Sequence, residues 1–229
     1  MTEIILASIL LPFAGGLLTL VLPRSWIRVF SELVAFLAAA AGVFVLIVFT
    51  IAGKAPFTVD VLFIGQWLMF GIVIDKLSVL IGAALGVVGF LIVVYSTGYL
   101  TMQNREHPEP KVERRFYFFL LLFIGSMAGL VLSSTLLGLL IFFELTGICS
   151  WGLIGYYDNE KARKAALKAI ITTQIASLGL YAATAFFFAL TGGTRLTDMA
   201  ALTENAKIFI FIGVLIAGYG KSAQLPLHF

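Results

Sequence analysis

Seven stretches of this chain are each long and apolar enough to cross a lipid bilayer as a helix, and nothing else in the sequence constrains the fold as tightly. The hydrocarbon core of a bilayer is about 30 Å thick, a span that a helix covers with about 20 predominantly apolar residues. The stretches are residues 4–22, 29–52, 77–100, 116–132, 135–156, 165–190 and from 208 onward. A soluble domain of 229 residues has too little interior to hide a chain that is 61% hydrophobic and only 12% charged. The expected fold is therefore an all-α polytopic membrane protein of about seven transmembrane helices. The whole of residues 1–229 is read as a single membrane domain in contact with the lipid bilayer.

Two segments break the helical pattern. Between residues 53 and 75, Pro56 is followed by the alternation Phe57-Thr58-Val59-Asp60-Val61, then Gly65-Gln66-Trp67 and a second apolar run. That pattern predicts a short β-hairpin after the second helix. Gly192-Gly193 and the polar residues through Asn205 predict a loop. Orientation follows from the basic residues of the connections. One side holds nine (Arg24, Arg28, Arg105, Lys111, Arg114, Arg115, Lys161, Arg163 and Lys164), the other four (Lys54, Lys76, Arg195 and Lys207). The richer side is expected to be cytoplasmic, with the N-terminus outside, in a plasma membrane.

The remaining composition excludes more than it suggests. A net charge of +3 reflects basic loops and implies no nucleic-acid partner. The one cysteine, Cys149, precludes an internal disulfide or a multi-cysteine metal or iron–sulfur site, and it reads as a small buried hydrophobe. Glu3 precedes the first apolar run, which has neither a basic leader nor a small-residue cleavage site. No glycine-rich phosphate loop and no nucleophile–base motif is present. His107 has no second histidine near it, so no metal site and no cofactor are expected. The chain is not expected to be catalytic by itself.

Chemistry is instead carried by ionisable residues inside the apolar spans, where each costs roughly 2.5–3.5 kcal/mol to insert and usually faces protein or water. Glu144 sits in LLIFFELTGICSW, deep in its helix, with Leu140, Ile141, Gly147 and Ile148 on its face. Gly147, one turn on, lets a neighbour approach the carboxylate closely. Lys221 ends a stripe of small residues, Gly213 and Ala217, spaced by four. Gly218, Gly220 and Pro226 predict a discontinuity in this last helix, which is tolerated at membrane depth where it lines a cavity. A buried lysine and carboxylate support each other's charge when close and lose that support when they part. Lys168 continues a basic stripe from Lys161 and Lys164 to Thr172, flanked by Thr173, Gln174 and Ser177. It serves equally as a marker of the helix entrance. His228 has the chemistry of a proton relay.

FFELTGICSWGLIGYY and GKSAQLPLHF resemble the antiporter-like membrane subunits of respiratory complex I, multi-subunit cation/proton antiporters and energy-converting membrane hydrogenases. Further matches are FGIVIDKLSVL with Asp75, YSTGYL over Tyr95–Leu100, and ARKAALKAI with Lys168. The resemblance implies translocation of protons, with sodium as the alternative ion, through a charge pair formed by Glu144 and the broken-helix Lys221. Lys168 would connect toward the cytoplasm and His228 onward along the membrane, with Asp75, Thr172, Gln174 and Ser177 in support. Many complex I members carry an arginine and an aspartate where Gln174 and Ser177 stand here, which points toward the antiporter or hydrogenase branches. The family fold contains two inverted repeats. This chain matches its N-terminal helices and an incomplete first repeat, so it is read as part of a longer subunit or as a half-subunit completed by another chain.

The resemblance therefore implies a transport subunit of a redox-driven complex or of a cation/proton antiporter. Its expected partners are other membrane subunits, including a second antiporter-like chain. The alternative is a structural subunit that carries no ions. Redox chemistry within the chain has no support, since cysteine sets, paired haem-type histidines and a nucleotide motif are all missing from the sequence.

Overall fold

The computed structural model describes residues 2–101 and 114–225. Seven α-helices are present among them: α1 (Thr2–Thr19), α2 (Arg24–Ile51), α3 (Lys76–Tyr99), α4 (Arg114–Leu132), α5 (Leu136–Ile154), α6 (Glu160–Thr191) and α7 (Glu204–Lys221). The strands β1 (Phe57–Ile64) and β2 (Trp67–Ile74) lie between α2 and α3, and a short 3-10 helix (Leu196–Ala201) precedes α7. Helices α1 to α6 are each long and apolar enough to cross a membrane. Helix α7 is not among these; it carries Glu204, Lys207 and Lys221 within 18 residues.

The expected hairpin forms as a two-stranded sheet. Its two-residue turn is Gly65-Gln66, and Gly65 has φ +61°, a conformation that costs a glycine nothing. The other punctuation is equally local. Asp75 caps α3 by accepting a 2.7 Å hydrogen bond from the Ser78 amide, while the Ser78 hydroxyl takes the Asp75 amide at 2.9 Å. That reciprocal arrangement satisfies two backbone donors that a helix start would otherwise leave unpaired. Asn159 caps α6 through the Ala162 amide, and Gly192 ends the same helix at φ +66°.

The chain divides into two compact units. The first comprises residues 1–57 and 74–132, and in it α1 to α4 pack side by side. Small residues set the spacing of α2 and α3, since a Cβ on Gly86 would stand 3.0 Å from the Ala39 Cα. Tyr117 is fully buried in this bundle, and its hydroxyl accepts from Ser96 at 3.4 Å.

The second unit comprises residues 58–73 and 133–229 and contains most of the hairpin with α5, α6 and α7. The hairpin anchors the start of α5. The Ser134 amide donates to the Gly71 carbonyl at 2.9 Å, and the Thr135 hydroxyl to the Met69 carbonyl at 3.0 Å. Thr135 is also the N-cap of α5, taking the Gly138 amide at 3.0 Å. The Thr194 hydroxyl binds the Leu68 carbonyl and the Leu136 amide binds the Thr194 carbonyl at 2.9 Å, so the loop after α6 joins the same knot. At the other interface, a Cβ on Gly179 of α6 would stand 2.6 Å from the Gly213 carbonyl of α7. The two backbones meet directly, and any side chain at either position would part them.

Candidate functional site

The stripe read in α7 faces inward. Gly213 and Ala217 are buried, and Lys221, one turn beyond Ala217, is the last helical residue. Contact between Gly213 and Gly179 fixes α7 against α6, and the Lys221 side chain then reaches α5. Its ammonium donates to the Phe143 carbonyl at 3.2 Å and lies 4.7 Å from the centre of the Phe143 ring. A cation over an aromatic face is favourable, more so where water is scarce. Gly147 makes room for it, since a Cβ there would meet Lys221 Nζ at 3.3 Å and, beyond its own helix, nothing else of the described residues within 4 Å.

Glu144 adjoins the carbonyl that binds Lys221. Its carboxylate does not take the lysine. Oε2 accepts a hydrogen bond from Gln174 Nε2 of α6, and Oε1 is buried with no hydrogen-bond partner among the described residues. The expected Glu144–Lys221 ion pair is thus not formed; among the described residues the ion pairs are Arg163–Asp158, Lys164–Glu160, Arg195–Asp60 and Lys207–Glu204. The physical reason is that each charge has a neutral dipole nearer to hand. An amide donor stabilises the carboxylate without desolvating a second ion, and desolvation is the term that makes buried pairs expensive. The Tyr181 hydroxyl of α6 lies within electrostatic reach of the same carboxylate.

Lys221 opens onto a cavity of about 270 Å³ between α5, α6 and the end of α7. Its lining includes Gly147, Ser150 and Trp151 of α5 with Thr172 and Thr173 of α6. A space of this size with hydroxyls in its wall has room for several waters. A second cavity of about 280 Å³ lies further along α5 and α6, between Leu140, Tyr181, Thr184 and Thr194.

Other expected site residues fall at varied distances from this centre. Gln174 and Thr172 belong to it, as just described. Ser177 is buried one turn from Gln174, and its hydroxyl binds the Gln174 carbonyl at 3.0 Å. Lys168 is exposed, one turn before Thr172. Asp75 lies in the other unit and caps α3. Gly218 and Gly220 stay helical; the helix ends just after them, where Ala223 has φ +51°. Pro226 and His228 lie outside the described residues. Sequence reading missed two participants. Tyr181 stands seven residues from Gln174, a spacing that places both on one helix face and could have flagged it. The Phe143 carbonyl is a backbone group and leaves no signal in a sequence.

A family model described as "NADH:quinone oxidoreductase/Mrp antiporter, TM" matches residues 133–229. A second, "NADH-Ubiquinone oxidoreductase (complex I), chain 5 N-terminus", matches residues 64–116. NAD(P)H-quinone oxidoreductase chain 5 of a Picosynechococcus species is 36% identical over 172 residues, covering 70% of this chain and 25% of that protein. Its Synechocystis counterpart is 38% identical over 172 residues, with 70% and 24% covered. The chain thus spans about a quarter of the length of these curated relatives.

Solved structures give the same picture of the fold. Respiratory complex I from Thermus thermophilus matches with a TM-score of 0.77 at 25% identity, over 98% of this chain and 45% of that one. The Mrp complex from a Dietzia species matches with a TM-score of 0.78 at 22% identity, over 98% and 24%. An archaeal membrane-bound sulfane sulfur reductase matches with a TM-score of 0.76 at 20% identity, over 99% and 45%. Together with six membrane-spanning helices, these matches establish that the chain is a multi-pass membrane protein belonging to the antiporter-like subunit family of complex I and Mrp antiporters.

Proposed function

We propose that this chain is an ion-translocating subunit of a multi-subunit membrane complex, carrying protons, with sodium as the alternative ion. The observation that carries the reading is the placement of the Lys221 ammonium on the Phe143 carbonyl, next to Glu144 in an apolar helix, with the lysine lining a cavity of about 270 Å³. In this reading the pair alternates. When Lys221 swings from the Phe143 carbonyl to Glu144, the carboxylate holds the lysine's proton in place; when the lysine returns, that support is lost and its proton can move on. Thr172, Gln174 and Ser177 support the pair, Lys168 connects it toward the cytoplasm and His228 leads onward. Gly218 and Gly220 loosen the last turn of α7 ahead of its end at Lys221, Pro226 is assigned to the helix discontinuity, and Asp75 holds the start of α3.

The same reading places the chain in a plasma membrane with its N-terminus outside and its basic loops in the cytoplasm. It treats the chain as one membrane domain, made of N-terminal helices and an incomplete first repeat, with other membrane subunits and a second antiporter-like chain as partners. The complex would be a redox-driven one or a cation/proton antiporter. The test is ion flux in vesicles bearing the assembled complex. Lys221→Ala should abolish coupled flux while leaving assembly intact. Full flux in that variant would remove the pair from the pathway and favour a scaffold that carries no ions.

A further inference from the structure

Glu144 has one carboxylate oxygen held and one left over. Oε2 takes the Gln174 amide, while Oε1 is buried without a partner among the described residues. An unpartnered buried oxygen on an ionisable group is costly and calls for a donor. Tyr181 is the group placed to supply one. It stands two turns from Gln174 on α6, so both side chains leave the same helix face. It lines the second cavity together with Leu140, which precedes Glu144 by one turn of α5. Its phenol already lies within electrostatic and hydrogen-bonding reach of the carboxylate, while Oε1 itself completes no hydrogen bond among the described residues. Lys221 approaches from the opposite direction, at Gly147, one turn after Glu144.

We infer that α6 offers Glu144 a neutral cradle of two donors, the Gln174 amide and the Tyr181 hydroxyl, which competes with Lys221 for the carboxylate. In the structure the cradle is half closed. A small rotation of Tyr181 out of its cavity brings the hydroxyl onto Oε1 and completes it. With both donors engaged, the carboxylate is held on α6 and Lys221 stays on the Phe143 carbonyl. With Tyr181 withdrawn, only Gln174 opposes transfer of the carboxylate to the lysine. Tyr181 is thus a positioning residue that sets how often the charge pair forms, and the second cavity is the space into which its ring retracts.

The inference rests on the translocation reading, and the test separates the two. The protein is assembled in its native complex, reconstituted in vesicles, and compared with Tyr181→Phe, Lys221→Ala and Tyr219→Phe. Tyr219 is an outward-facing phenol of α7 and serves as the control. Phenylalanine keeps the ring at 181 and removes only the donor. Loss of one hydrogen bond to a charged group should shift the balance toward the Lys221 pair roughly tenfold and slow flux by a similar factor. The Glu144 carboxyl band in the infrared, assigned by its loss in Glu144→Gln, should move in Tyr181→Phe and stay put in Tyr219→Phe. An unmoved band and parental flux in Tyr181→Phe overturn the cradle, even if Lys221→Ala is inactive. Full flux in Lys221→Ala overturns translocation through the pair, while a band shift in Tyr181→Phe still supports the hydroxyl on Glu144.

Discussion

Gly147 is the most selective handle on this site. Beyond its own stretch of helix, a methyl group there would meet Lys221 Nζ at 3.3 Å and no other atom of the described residues within 4 Å, so Gly147→Ala perturbs one tertiary contact. The ammonium must give way by a few tenths of an ångström. Its hydrogen bond to the Phe143 carbonyl is 3.2 Å, already near the limit of useful length. Retreat from the methyl group lengthens it past that limit or sends the ammonium elsewhere. A hydrogen bond to a charged group contributes about 1.5–3 kcal/mol, so the parked position of Lys221 should weaken by roughly ten- to a hundredfold. Stability should move the other way, because alanine in a helix interior is favoured over glycine by about 1 kcal/mol. The expected result is a complex that assembles and melts at the parental temperature or slightly above it, with ion flux altered by an order of magnitude. Flux in reconstituted vesicles and thermal unfolding in detergent measure the two quantities. Parental flux in both Gly147→Ala and the bulkier Gly147→Val would refute the placement of Lys221 over this residue.

Two further substitutions separate packing from charge. Gly179→Val drives a side chain into the Gly213 backbone, which cannot yield as a side chain can, and should cost about 1–3 kcal/mol or more; the check is the yield and melting temperature of the purified protein. Asp75→Ala removes the cap of α3 and should cost about 1 kcal/mol, whereas Asp75→Asn keeps the cap. Parental flux in the asparagine variant is expected if capping is the role of this residue, and loss of flux there would restore its charge to the pathway.

The site owes its form to devices of different reach. Lys221 depends on a contact between two glycine backbones, which sets how close α7 lies to α6. Glu144 depends on α5, whose start is tied to the hairpin through Ser134, Thr135 and Thr194. The hairpin is therefore more than a connection: it fixes the end of the helix that carries the carboxylate.

The positions of the helices were legible in the sequence because a span is a local property, set by about 20 apolar residues in a row. The hairpin was legible for the same reason, from the alternation over Phe57–Val61 before Gly65-Gln66 and the apolar run after it. Glu144 and Lys221 stood out because an ionisable group in an apolar run has an insertion cost that needs an explanation. What they bind was another matter. Gln174 is 30 residues from Glu144, and the Phe143 carbonyl is 78 residues from Lys221. A choice between a neutral dipole and an opposite charge turns on ångström differences in how three helices lie together. Composition and spacing are silent at that scale, so the sequence alone determined which residues are out of place in a membrane, and only the tertiary structure decided which neighbours hold them there.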